Sequence, residues 1–177
     1  MDTEYFAPVL GVVEIPHTGE QFARAAVQFV NTMCSGTLGV NLIAHPSTIR
    51  QLGPAFDAAV ENLRYGTIAI NAWTGLGYLT ASATWGAFPG HTIDDVQSGI
   101  GVVHNGLLID RPERTLVHGP FRPAPRSALS GQFPLSPKPP WFVTNKTAAT
   151  TGKQLTEFAS KPRWSKLPTI FASAMRG

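Results

Sequence analysis

Over residues 6–73 the chain alternates two kinds of apolar pattern, and this alternation restricts its fold more than any other feature. Residues 6–15 form an almost wholly apolar run rich in β-branched side chains, the pattern of a strand buried on both faces of a parallel sheet. Then Phe22, Ala25, Ala26, Phe29, Val30 and Met33 recur at helical spacing and give one apolar stripe. Thr18 and Gln21 stand three apart before it, the arrangement of a capping box, and Gly36 is placed to end the helix. Residues 38–44 read as a second strand. Residues 47–63 read as helical with a break near Gly53-Pro54, because Pro54 removes a backbone donor. Gly66 then introduces a third strand at 67–73. The order strand, helix, strand, helix, strand predicts right-handed crossovers and an α/β fold, a three-layer sandwich whose mostly parallel sheet is covered by helices.

After Trp73 the texture changes. GLGYLTASATWGAFPG has no sustained period and reads as a long ordered loop, of a length that usually serves function or holds a neighbouring element. Residues 114–118 fit a short strand. Prolines are frequent from 119 to 140, which predicts an extended run along a surface. Two short terminal helices follow at about 146–160 and 168–175, the second with Pro168 in its first turn. Two regions are therefore expected: 1–118, an α/β body, and 119–177, an extended basic tail with two short helices.

Charge is unevenly distributed along the chain. Residues 1–100 carry three basic side chains against eight acidic ones, and residues 101–177 carry eleven against three. The tail's charges are dispersed among prolines with no block of five or six, which disfavours nucleic acid and favours packing against an acidic body or partner subunit. No run of eighteen uncharged apolar residues marks a membrane span, and the start lacks the pattern of a secretory signal. A cytoplasmic location is expected, in keeping with a single cysteine, Cys34. Asn145-Lys146-Thr147 matches a glycosylation sequon that carries meaning only in a secretory setting.

Local motifs assign no chemistry. Gly75-x-Gly77 and Gly99-x-Gly101 begin like dinucleotide fingerprints. The first leads into loop-like sequence and the second follows no strand, so both read as turn or close-packing glycines. The five histidines, His17, His45, His91, His104 and His118, stand far apart and disfavour a metal site. Cys34 falls at the end of a helix, whose polarity is wrong for a catalytic thiolate. Asp94-Asp95 behind Thr92 reads as a turn. Ser130-Gly131 lies in the proline-rich tract without the strand and helix of a nucleophile elbow.

Glu4-Tyr5-Phe6-Ala7-Pro8-Val9 resembles the E-x-F-G-P-V segment of the aldehyde dehydrogenase superfamily, departing only at Ala7. Further stretches resemble the family in order: Asn31 with Gly36-Thr37-Leu38; Leu63 through Asn71, similar to L-x-x-G-x-V-x-x-N on the substrate side; Trp85-Gly86-Ala87-Phe88-Pro89-Gly90; and Ser98-Gly99-Ile100-Gly101. Arg114-Thr115-Leu116-Val117 resembles the family's closing strand, used in subunit pairing. The resemblance covers about residues 4–118.

It implies an NAD- or NADP-dependent oxidation of an aldehyde to a carboxylic acid. Glu4 would hydrogen-bond the nicotinamide ribose, and Phe6 would pack near the nicotinamide ring. A carboxylate accepts from both ribose hydroxyls, and an aromatic side chain limits where the ring sits. The family's nucleophilic cysteine, general-base glutamate and nucleotide-binding domain precede this segment. The resemblance therefore implies a C-terminal portion with no catalytic residues of its own, inactive alone, and with no cofactor bound by this chain by itself. Its expected partner is the missing N-terminal half, or a second copy paired through Arg114-Thr115-Leu116-Val117. The alternative is a stand-alone, non-catalytic interaction module. Trp141 and Trp164, flanked by prolines and basic residues, are expected to anchor the tail rather than stack on a base.

Overall fold

The computed structural model describes residues 3, 5, 7–122, 126–131 and 144–177. They form two compact units, 1–119 and 120–177.

The first unit is built on a mixed α/β pattern. Helix α1 (Gly19–Met33) leads to strand β1 (Gly39–Leu42), then helices α2 (Pro46–Leu52) and α3 (Pro54–Asn62), and strand β2 (Thr67–Ile70). A short helix α4 (Gly75–Leu79) and two-residue strands β3 (Trp85–Gly86) and β4 (Val102–Val103) precede β5 (Thr115–His118). β1, β2 and β5 make a parallel three-stranded sheet with β2 central, pairing Gly39 with Thr67 and Thr67 with Thr115. β3 and β4 pair antiparallel.

All four residues of β2 are buried. Ile68 and Ile70 face a core with Phe56, Val60, Leu63 and Tyr65, against which Val27 and Val30 of α1 pack. On the opposite face Gly77 of α4 lies on Thr67, where a Cβ would approach the Thr67 methyl at 3.1 Å. Alternation along the strand thus sends successive side chains into two different layers.

The helical stretch breaks where proline predicts it. Gly53 has φ +50° and ψ −126°, a backbone region that glycine adopts without strain, and Pro54 opens α3 with no donor to lose. Gly66 marks a second forced position: a Cβ there would fall within the van der Waals shell of the Gly86 carbonyl oxygen. The backbones before β2 and at β3 approach more closely than any side chain allows.

Three expectations are corrected. Residues 7–15 form no strand, and Val9, Leu10 and Val12 are 67%, 87% and 78% exposed. An apolar, β-branched run becomes a strand only where a neighbour supplies ladder bonds and a covering layer, and among the described residues β1 pairs with β2 alone. The capping box is not formed. Thr18 is the N-cap of α1 in extended conformation, but its side chain makes no cap hydrogen bond. The sequence after Trp73 is not a continuous loop, because Gly77 lets α4 lie against β2 and Trp85-Gly86 finds a partner in Val102-Val103.

The second unit holds a 3-10 turn (Arg126–Ser130), helix α5 (Ala148–Ser160), a further turn (Trp164–Lys166) and helix α6 (Leu167–Ala174). The Thr151 and Ser173 hydroxyls meet at 2.9 Å, both residues buried, and Thr147 Oγ1 donates to the Ser173 carbonyl at 2.8 Å. Trp164 stands edge-on to Phe158 with ring centroids 6.0 Å apart. Trp141 and most of the proline-rich stretch lie outside the described residues. Among the described residues no helix is long and apolar enough to cross a membrane.

Candidate functional site

In open α/β sheets, ligands bind outside the carboxyl ends of the strands. Here those ends are the residues after Leu42, Ile70 and His118. Asn71, directly beyond β2, has φ +53°, a left-handed conformation that asparagine tolerates better than most residues. Its backbone N–H donates to the Leu42 carbonyl at 2.8 Å. Its side chain accepts from Ala44 N–H and donates to the Ala44 carbonyl, each at 2.9 Å. The amide thus prolongs the β1–β2 ladder after both strands have left β conformation. Asn41 of β1 accepts from Thr74 N–H at 3.1 Å and fixes the turn into α4. Ile43 and Trp73, 73% and 45% exposed, form the open part of this edge.

Two further polar side chains hold the amino end of β2. Asn31 of α1 donates to the Asn62 carbonyl at 2.8 Å and accepts from Arg64 N–H at 3.0 Å, closing the turn between α3 and β2. Arg114, just before β5, donates to the Glu61 and Leu63 carbonyls at 2.9 Å and to the Val60 carbonyl at 3.3 Å. These carbonyls lie at and just past the end of α3, where the Val60 carbonyl also accepts from Leu63 N–H at 3.3 Å, and a cation is favoured there by the helix dipole. The same guanidinium lies 5.1 Å from the Phe88 ring centroid and pairs with Glu113.

A polar cleft of about 390 Å³ opens at that end, lined in part by Cys34, Thr37, Tyr65, Phe88, His91 and Asp95. Thr37 Oγ1 and His91 Nε2 share a hydrogen bond of 2.6 Å, and Thr37 N–H donates to Ser98 Oγ at 2.8 Å. Tyr65 donates from its hydroxyl to the Val30 carbonyl at 3.2 Å. Burial pushes its phenol above the usual tyrosine range, and the nearby Cys34 adds to the effect. Cys34 is the C-cap of α1 and a free, half-buried thiol.

The candidates named from sequence separate as follows. Glu4 and Phe6 lie outside the described residues. Tyr5 between them is exposed, and its carbonyl accepts from Ala7 N–H at 2.8 Å in a tight turn. Gly75 and Gly77 fall in the five-residue α4 and do not form a phosphate loop. Gly99 and Gly101, with φ +121° and +76°, are turn glycines. His45 caps α2, accepting from Ser47 N–H at 3.2 Å, and His104 stacks on Tyr78 with centroids 4.7 Å apart. Thr92 and Asp95 exchange backbone hydrogen bonds in a turn. No group of three potential metal ligands occurs among the described residues.

Sequence reasoning left the clamping roles of Asn31, Asn71 and Arg114 unassigned. Their signal was positional. Each polar side chain stands at the end of an apolar element, where main-chain groups run out of ladder or helix partners. The arrangement can position backbone and present an edge. No protein-family model, curated protein or solved structure matches the chain.

Proposed function

We propose that the chain is the C-terminal portion of an NAD- or NADP-dependent aldehyde dehydrogenase-like oxidoreductase, which oxidises an aldehyde and water to a carboxylic acid and passes a hydride to the nicotinamide. The observation that carries this reading is the ordered series of motifs from Glu4-Tyr5-Phe6-Ala7-Pro8-Val9 to Arg114-Thr115-Leu116-Val117. The parallel arrangement of β1, β2 and β5, with Asn31 and Asn71 at structural ends, is compatible with it. In this reading Glu4 accepts hydrogen bonds from the nicotinamide ribose, Phe6 limits the position of the ring, and the sheet continues into a larger three-layer sandwich. The nucleophile, general base and nucleotide-binding domain reside in preceding sequence, and the protein works in the cytoplasm.

The chain alone is then inactive. Purified protein incubated with NAD or NADP and a panel of aldehydes should give no more reduced cofactor than a heat-treated control. Turnover above that control would show that the nucleophile is in this chain. In a protein extended to carry the missing half, Glu4→Ala should lower kcat/KM about a hundredfold, the scale of losing a charged hydrogen-bond partner. Unchanged kinetics would remove the cofactor assignment. A stand-alone interaction module is favoured by a different observation: β1 and β5 each pair on one side only among the described residues, which leaves two edges for partners.

A further inference from the structure

Helix α1 carries a well-formed apolar stripe, yet none of its residues is buried, and Phe22 is 45% exposed. Val27 and Val30 reach the core. An apolar groove of about 380 Å³ lies beside it, lined among others by Phe22, Ala26, Val40, Leu42, Leu52 and Phe56. β1 borders this groove and pairs only with β2, so its outer backbone groups have no ladder partner among the described residues. A helix stripe over an unpaired strand edge is the setting of one further strand.

The same chain has an unmatched piece of the right chemistry. Residues 9–13, Val9-Leu10-Gly11-Val12-Val13, hold no charge and no proline and belong to no strand or helix. Leu10 and Val12 fall on one face by the period-two rule and are its most exposed side chains. The segment joins α1 through residues 14–18 and Gly19, whose φ is +56°.

We propose that β1 and its groove bind residues 9–13 of a second copy of this chain, each copy giving its segment to the other. The added strand runs parallel to β1, in the sense of the existing sheet, and places Leu10 and Val12 against Phe22 and Ala26. Reciprocal exchange about a two-fold axis covers both grooves and both segments with one contact type, the low-cost route to a closed dimer. With Leu10 and Val12 of each segment set on an apolar groove, the interface resembles a divided core, as stable homodimer interfaces do. It uses the edge opposite β5. It requires neither aldehyde nor cofactor.

The test is the oligomeric state of the full chain by light scattering and sedimentation. A dimer is expected. Leu10→Asp combined with Val12→Asp should weaken its dissociation constant about a hundredfold, the loss of two buried anchors. Circular dichroism should be unchanged apart from the added strand. Leu116→Asp on β5 should leave the dimer intact. In a Cys34→Ser background, a chain with Val13→Cys mixed with a chain with Ile43→Cys should give a disulfide-linked heterodimer. A monomeric protein, a dimer indifferent to Leu10 and Val12, or a bridge formed within single chains carrying both cysteines would each overturn the proposal.

Discussion

β2 and residues 9–13 are nearly interchangeable as sequences. Thr-Ile-Ala-Ile and Val-Leu-Gly-Val-Val are both short, uncharged and rich in branched side chains. In the structure they stand at opposite extremes. Ile68 and Ala69 are 0% exposed, whereas Leu10 and Val12 are 87% and 78% exposed. Composition does not separate them; neighbours do. β2 has a parallel strand on either side, α3 on one face and α4 on the other. Among the described residues no strand lies beside residues 9–13. Apolar character makes burial favourable at about 25 cal/mol per Å², but only a surface that removes water realises it.

The sharpest way to break this contrast is to truncate one member of each pair. Ile68→Ala should destabilise the first unit by about 4 kcal/mol, because its cavity lies where two layers and two strands meet. Val12→Ala, measured on monomer at low concentration, should stay within about 0.5 kcal/mol of the parent in urea unfolding. Comparable losses at both sites would mean that residues 9–13 are covered within a single chain. Gly66→Ala adds volume where Ile68→Ala removes it, and should cost about 3 kcal/mol because the Gly86 backbone must move. If its urea midpoint stays unchanged, the close approach at Gly66 is not required.

Arg114→Ala leaves the carbonyls at the end of α3 without their cation and should cost about 2 kcal/mol. Arg114→Lys should recover only part, since an ammonium lacks the planar fork. Equal stability of the two variants would assign the effect to charge alone. The smallest effect is one of pH. Tyr65 is protonated more firmly in the folded chain than in the unfolded one, because burial, with Cys34 adding, raises its phenol. The associated stability is complete below the unfolded value of about 10 and is lost as pH rises through the folded one. Tyr65→Phe should flatten the alkaline decline in thermal midpoint. An identical decline in both proteins would place its origin elsewhere.

Much of the first unit was legible from period and punctuation. The stripe from Phe22 to Met33, the break at Gly53-Pro54 and the strands around Val40 and Ile68 follow from local rules, because each rests on contacts within a few residues or on a backbone that only glycine or proline dictates. What local rules missed depended on distant partners. The run at 6–15 has strand-like composition, but pairing is a property of two segments. Helix α4 looked like loop because five residues carry no period; it forms where Gly77 can lie on Thr67. The candidate site was less legible than the fold. Glu4 and Phe6 were found by resemblance, while Asn31 and Asn71 are defined by main-chain groups 31 and 27 residues away in the chain.

Arg114 has a consequence for the order of events during synthesis. Its guanidinium completes α3, whose last residues were made more than fifty positions earlier. Until residue 114 is available, the Glu61 and Leu63 carbonyls lack this donor and β2 lacks its second neighbour. Contacts of such sequence separation delay folding, because a long loop must close before they form. A released fragment ending at residue 110 should therefore be cleaved readily by protease between α3 and β2, and one extended past residue 120 should resist. The arginine acts as a latch that only a nearly finished first unit can close.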